Sequence, residues 1–578
     1  MTRRDLLTLL AVSPVAARGQ GMSRRSVAPT LRGAPSGLPF HAQFTDVAAS
    51  AGLHAPTIYG GVERKLYLTE TVGCGVAFLD FDNDGWLDIF VLGGSRLEGA
   101  PAGATNRLYK NNRDGTFLDV TEQSGLGRSG WACSVAAGDF NNDGFDDLFV
   151  TFWGGCALYR NNGDGTFTDI TAKAGIAAPA RRWNSGCAFV DYNRDGLLDL
   201  VVAHYTEFDL KSVPRLGEVA TCNWKGVPVP CGPRGLPPGG VRLFRNNGDE
   251  TFSEVTEASG IGKSTGSYPM TVCAADLDND GWPDIFVACD STASFLFRNN
   301  HDGTFREAGL ESGVALNEDG MEQAGMGVAI GDYNLDGNPD LFKTHFSDDT
   351  CILYRNDGRG RFDDVTVAAG LGVETRYTCW GTGMIDLDNN GAPDLFFATG
   401  SIYPELEAKI PAYPFKTPRV IFRNLGDGRF EELIGEAGPG IGARHSSRGC
   451  AFGDFDNDGD LDVVIINLNE PPSLLRNDVS GGGHWLKVKL VGTKSNRSAI
   501  GAIVIVHYGG KRQAQAVLSQ SSFFSVNDFR LHFGLGAERT VAVEVRWPNG
   551  GIERFENVAA GQLVTIREGV GILDRQRL

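Results

Sequence analysis

Seven times between Asp80 and Asp462 the chain spells D-x-[DN]-x-[DN]-G-x-x-D, and each copy runs straight into apolar residues. Nine-residue phrases this rich in carboxylates cannot be buried without a positive charge among them. A second phrase follows each copy, as in "LYKNNRDGTF", "LFRNNHDGTF" and finally a bare "LLRND". A third, F-x-D-V-T-x-x-[AS]-G-[LI], closes most copies. A repeat of about 50 residues holding four short strands is the signature of a propeller blade. The last copy lacks its F-x-D-V strand, and a spare one, "FTDVAASAGL", stands at Phe44 ahead of the first copy. Seven blades therefore close into a ring, with the Phe44 strand completing the last blade and leaving no open sheet edge.

Strand order assigns two faces. Strand one runs into the Asp loop and strand two runs out, so all seven Asp loops share one face. The three longest connections, about 92–107, 203–241 and 398–420, belong to the other face, where loops on a rigid scaffold commonly carry binding residues. The predicted fold is all-β, a seven-bladed propeller over 44–480 followed by a small β-sandwich-like domain over 481–570. Residues 1–21 read as a signal peptide, 22–43 as a linker and 571–578 as a tail. The opening "MTRRDLLTLLAVSPVAARGQ" has the order of an export signal, with Arg3-Arg4 in a twin-arginine-like pattern. No later run of apolar residues is long enough to span a bilayer.

In each Asp loop the side chains at positions 1, 3 and 5 converge, Gly at position 6 lets the turn wrap, and Asp at position 9 completes the cage. Position 1 is Asp80, Asp139, Asp191, Asp276, Asp332, Asp386 and Asp454. Position 3 is Asp82, Asn141, Asn193, Asp278, Asn334, Asp388 and Asp456. Position 5 is Asp84, Asp143, Asp195, Asp280, Asp336, Asn390 and Asp458. Position 9 is Asp88, Asp147, Asp199, Asp284, Asp340, Asp394 and Asp462. Hard oxygen donors at this density select Ca²⁺, up to seven ions, in a structural role. Loop 6, where Asn390 replaces an acid, is the one expected to hold its ion least well. An EF-hand would carry Glu at position 12, where the first loop has Val91. The 24 aspartates at these positions account for the acidity: without them 47 acidic residues face 53 basic ones, and seven divalent cations would move the net charge from −18 to −4. An acidic chain of this kind excludes non-specific binding to nucleic acid or anionic membranes.

The repeats resemble the FG-GAP/VCBS repeats of integrin-α-like propellers. From Gly481 the pattern changes, and "SQSSFFSVNDFRLHFGLG" with "VEVRWPNG" resembles the ASPIC/UnbV domain. Together they resemble the cartilage acidic protein family in its bacterial form. The resemblance implies calcium loops that stiffen one face and ligands that dock at the other, with no defined activity.

Catalytic signals are weak. "SGIGKSTG" at 259–266 imitates a phosphate loop but has Glu257 where the first Gly belongs, and His532 is a lone strand histidine. No catalytic residue is assigned. The expected ligand face is the channel mouth opposite the Asp loops, where Trp131, Arg181, Trp183, Asn184, Tyr377, Trp380, Arg444 and His445 start the inner strands; the alternative is that they pack beneath the long loops. A protein or glycan ligand of an exported binding module suits such aromatic and Arg groups, against an extracellular enzyme or a biosynthetic accessory protein. Cys222 and Cys231 flank a Pro- and Gly-rich loop and are expected to pair. Cys74, Cys133, Cys187, Cys273, Cys379 and Cys450 lie in apolar segments and read as buried small hydrophobes.

Overall fold

The computed structural model describes residues 27–177, 179–213, 215–216, 222–481 and 483–577. The expected signal peptide lies outside the described residues. Each blade holds four antiparallel strands; in the first, Val76–Leu79, Asp88–Val91, Arg107–Asn111 and Phe117–Asp119 pair in that order, and the second and third blades are joined into one eight-stranded sheet where Trp183 pairs with Trp153. The inner strands Val76–Leu79, Trp131–Gly138, Arg182–Val190, Pro269–Ala275, Val328–Gly331, Cys379–Ile385 and Ser447–Gly453 each touch the next, and the last touches the first. The sheets thus form a closed β-propeller. Phe44–Asp46 pairs antiparallel with Ser473–Asn477, so the last sheet is built from both ends of the ring. Ahead of it, residues 27–43 are more than a linker: Arg32 bonds Glu432 at 2.7 Å and Ser36 bonds Glu431 at 2.6 Å along the outer edge of blade 6.

The Asn of each strand-three phrase explains how neighbouring blades hold together. Asn161 Nδ2 donates to the carbonyl of Phe81 in the preceding blade's Asp loop at 2.8 Å, and to Asp146 in its own at 3.2 Å. The same bond to the preceding blade is made by Asn246 to Phe140, Asn299 to Tyr192, Asn356 to Leu277, Asn424 to Tyr333, Asn477 to Leu387 and Asn111 to Phe455. Seven buried amides therefore stitch the seven Asp loops into one belt. Such groups are rarely left unpaired in a folded interior; here each has an acceptor in the preceding blade, and all but Asn477 have a second in their own.

The C-terminal domain is two four-stranded sheets. One has the order Leu531–Gly536, His484–Val491, Gln562–Arg567, Gly571–Gln576; the other has Lys511–Ala516, Ile503–Tyr508, Thr540–Arg546, Ile552–Ala559. Gly571–Gln576, set aside in the sequence as a tail, is an edge strand that pairs antiparallel with Gln562–Arg567. Nor is the domain a separate body. It covers the Asp-loop face, and a single hydrophobic cluster joins its Leu486, Val504 and Phe533 to Phe140, Phe189 and Leu198 of the propeller.

Between Ala516 and Leu531 the domain sends a loop down the propeller axis. The Ala137 and Val135 amides donate to Ser519 and Phe524 carbonyls, and Val526 exchanges bonds with Val76 and Phe78. The rest of the ring joins in through Ser519 to Phe189, Cys273 to Gln520, Val328 with Ser522, Thr382 to Ser522 and Asp528 to Phe452. Every inner strand thus contacts this loop. At its tip Phe523 and Phe524 are fully buried, their rings 4.0 Å apart, and Phe523 lies 5.0 Å from Trp380 at the far mouth.

Candidate metal centres and the two faces

All seven Asp loops share one backbone path. Position 4 is left-handed throughout, from Asn83 (φ +56°) to Asn457 (φ +57°), and Gly at position 6 has φ between +84° and +101°. A side chain at position 6 would be strained at that φ, which fixes the glycine. The position-1 carboxylate accepts the amides of positions 5 and 6, as Asp80 does from Asp84 at 2.9 Å and Gly85 at 3.0 Å. The position-9 carboxylate ties the start of the loop to strand three: Asp88 accepts from Phe81 at position 2 at 3.2 Å and from Asn111 at 2.8 Å.

Position 3 divides the loops into two groups. Where it is Asp, carboxylate oxygens gather within 4.8 Å: Asp80, Asp82 and Asp88; Asp276, Asp278 and Asp280; Asp386, Asp388 and Asp394; Asp454, Asp456 and Asp462. Where it is Asn, the amide donates to position 5 instead, Asn141 to Asp143 at 2.9 Å, Asn193 to Asp195 at 2.8 Å and Asn334 to Asp336 at 3.0 Å. Loop 6, expected to be the weakest, thus falls in the group that gathers its acids.

The donor set fits a hard divalent cation on two observations. First, Asp82 Oδ1, Asp388 Oδ1, Asp456 Oδ1, Asp199 Oδ2 and Asp284 Oδ2 are buried and have no hydrogen-bond partner among the described residues. An unpaired buried carboxylate oxygen is costly unless a cation meets it. Second, burial pushes these acids far from their usual range: Asp88 and Asp386 up to about 8, Asp139, Asp191 and Asp332 up to about 7. Side-chain cations reach only part of the set. Lys110 pairs with Asp82, Arg298 with Asp278, and Lys487 of the C-terminal domain with Asp454, the last pair fully buried.

The C-terminal domain meets this face with polar groups. Arg497 N donates to Asn142 at 2.8 Å, Ala514 N to Asp332 at 3.0 Å, Tyr508 Oη to the Gly391 carbonyl at 3.0 Å and Arg530 to Asn457 at 2.7 Å. His532 belongs to this seam, with Nε2 2.7 Å from Asn389 Oδ1 and the ring buried. Burial, with Lys487 nearby, holds it well below the usual histidine range, so it is a neutral structural group. The phosphate-loop mimic is an inter-blade link whose Ile261 is fully buried.

The expected ligand residues separate. Trp131, Trp183, Asn184 and Trp380 are buried, so they form the floor beneath the long loops and not a ligand face. Trp183 Nε1 points at Cys133 Sγ at 3.2 Å, Asn184 bonds the Gly155 carbonyl at 2.7 Å and Trp380 Nε1 bonds the Gly400 carbonyl at 2.8 Å. Long insertions in blades 3 and 6 cover them, and sequence spacing alone does not reveal how those insertions lie. Arg181 and Arg444 remain exposed, Tyr377 is half-buried beneath Arg376, and His445 bonds Glu470 at 3.0 Å. Sequence reasoning missed Arg448, fully buried among the carbonyls of Thr71, Val72 and Ser447 and 4.1 Å from the Trp380 ring. Cys222 and Cys231 are disulfide-bonded with Cα atoms 5.1 Å apart, and the other nine described cysteines are buried and take no part in a disulfide.

A propeller of Asp-loop repeats whose axis and one face are filled by its own C-terminal domain defines the class. The repeats match the FG-GAP-like repeat at 80–150, 143–202, 235–287, 276–343 and 417–502, and the C-terminal part matches ASPIC and UnbV at 492–572. The chain belongs to this family of FG-GAP-like repeat proteins with an ASPIC and UnbV domain. It is 29% identical to cartilage acidic protein 1 of Homo sapiens over 54% of this chain and 46% of that protein. With cartilage acidic protein 1 of Xenopus tropicalis it shares 25% identity over 85% of this chain and 72% of that protein. The chain thus spans less than half the length of the human relative. Among solved structures, an Agrocybe aegerita protein that recognises non-reducing terminal N-acetylglucosamine aligns with TM-score 0.36 at 16% identity, over 68% of this chain and 88% of that one. A likeness that faint carries no ligand across. No helix among the described residues is long and apolar enough to cross a membrane.

Proposed function

We propose that the protein is an exported binding module, stiffened by calcium in its Asp loops, which presents its long-loop face to a protein or glycan. The observation that carries the calcium part is the set of buried, partnerless carboxylate oxygens converging in loops of one backbone path. Bound there, Ca²⁺ would supply the positive charge those oxygens lack. Positions 1, 3, 5 and 9 of each loop would hold it, best in loops 1, 4, 6 and 7, where position 3 is an acid. The orientation of the module is supported by what covers each end. The C-terminal domain lies over the Asp loops, and the Phe523–Phe524 tip fills the axis at the other mouth. That leaves the described parts of the loops, around 92–106, 208–213, 222–237 and 400–419, as the broad accessible face. The disulfide at Cys222–Cys231 within one of them suits an oxidising compartment.

The test has two arms. Metal analysis of the purified protein should find at least four bound calcium ions, and a chelator should lower the melting temperature, since a ligand of the native state raises stability by mass action. An unchanged melting point and a metal count of zero would remove calcium from the account. A glycan array probed with the loaded protein addresses the binding role. Polysaccharide turnover lost in Arg444→Ala would replace binding with catalysis.

A further inference from the structure

A cavity opens at the seam between the Asp-loop face and the C-terminal domain, beside blades 3, 4 and 5. Its volume is about 560 Å³, and Arg194, Arg512 and Arg546 line it together with Trp547. That size falls within the range of small-molecule sites.

Arg194 is the unusual member. It occupies position 4 of loop 3 in the left-handed conformation (φ +58°), a place filled by asparagine in five of the other loops. Its guanidinium lies 4.1 Å over the Trp282 ring. The buried Nε has no hydrogen-bond partner, and the guanidinium forms no ion pair among the described residues. Glycines make room for it: a Cβ on Gly281 would fall 2.6 Å from Nη2, and one on Gly550 3.3 Å from Nη1. The other two arginines are pinned. Arg546 donates to Asn279 at 3.0 Å and Glu544 at 3.0 Å, and Arg512 donates to the Asp336 carbonyl. Each guanidinium carries five N–H donors, so all three retain donors for a ligand.

The acids in the wall are Asp276 and Asp280, both members of the loop-4 cluster. They face Arg194 when no cation occupies loop 4, and they would be neutralised by one that does. A bound ion inverts the local charge balance. The cleft is then a cationic chamber with flat indole surfaces and no acid free to cancel Arg194.

We propose that this cleft binds an oxyanion, the carboxylate or sulfate group of a small organic ligand, and that calcium in loop 4 is required for tight binding. The coupling rests on the calcium reading above; the arginine site itself does not. The full-length protein, with its calcium counted, is titrated calorimetrically at fixed ionic strength with sodium glucuronate, sodium sulfate and glucose. Saturable one-site binding of glucuronate and none of glucose is the expected result; binding of sulfate alone would restrict the ligand to a free inorganic anion and overturn the organic part. Arg194→Met keeps the stack on Trp282 but removes the charge, and should weaken binding about tenfold or more. Arg512→Gln, at the exposed rim, should weaken it as well and serves if Arg194→Met does not fold. Chelation should cost about tenfold too. No saturable binding by the calcium-loaded protein, or wild-type affinity in both variants, overturns the site. Undiminished binding in a protein that holds no calcium overturns the coupling and leaves the arginine cleft standing.

Discussion

Replacing one strand-three asparagine tests whether the amide belt holds the ring together. Asn246 is 3% exposed, and Nδ2 donates to Phe140 at 2.9 Å and Leu198 at 3.0 Å while Oδ1 accepts from Gly248 at 2.9 Å. Asn246→Ala removes all three bonds and leaves two carbonyls and an amide without that partner. At about 1 kcal/mol net for each bond, and more for a buried group left unpaired, the loss is about 3–4 kcal/mol. If propeller and cap melt as one unit, that corresponds to a fall of about 2–3 °C, because melting entropy grows with chain length. Scanning calorimetry in calcium buffer measures it. The neighbour Asn247 is the control: it is exposed and bonds Thr251 at 2.9 Å within its own hairpin. Asn247→Ala should cost no more than about 0.5 kcal/mol. Equal melting points for the two variants would show that the belt contributes nothing beyond local turn geometry.

Other consequences can be checked separately. Phe523→Ala with Phe524→Ala removes two fully buried rings from the axis, which should destabilise by several kcal/mol. The same variant should label faster with a thiol reagent under native conditions, since Cys450 and Cys273 lie 3.4 and 3.8 Å from Ser522 and Gln520 of that loop. Lys343 is buried, with Ser294 Oγ at 3.2 Å and Tyr354 Oη at 3.4 Å, and burial lowers its pKa from 10.5 to about 8. A base with a depressed folded-state pKa costs stability while charged, and the cost fades as pH rises from about 8 to 10.5. Lys343→Met should therefore stabilise by about 1–3 kcal/mol at pH 7, with the gain lost by pH 10.5 in denaturant titrations. Asp388→Asn should lower the calcium count by one, whereas Asn141→Ala, in a loop whose position 3 is not an acid, should lower it by less.

Much of the fold was legible because a repeat states its structure many times. The Asp loop, the hairpin after "RNN" and the surplus strand at Phe44 each carry local chemistry: a left-handed turn, an Asp-Gly turn, a period-two strand. The amide belt was visible as a repeated Asn, but its role depends on the neighbouring blade and not on its own phrase. Trp183 and Trp380 show the limit on the site side. Their position at the start of inner strands places them correctly, yet exposure depends on how the irregular insertions after the second strands of blades 3 and 6 fold over them. "SQSSFFSVNDF" has no periodicity to betray that it lies on the axis, because its bonds go to seven different strands. Arg194 is equally silent in sequence, one residue in a loop otherwise like six others.

The axial loop has a consequence for the order of assembly. Both its ends belong to the C-terminal domain, while the ring around it is sealed by a strand from near the start of the chain. The last blade lacks its outer strand until residue 477 can meet residue 44, and the axis stays hollow until residues beyond 519 arrive. No prefix of the chain can therefore reach the native arrangement. The contacts that finish it span nearly the whole sequence, which places this protein among slow, late-closing folders. Segments left waiting would expose inner strands, so such a chain gains from being held unfolded, or folded only after release in full.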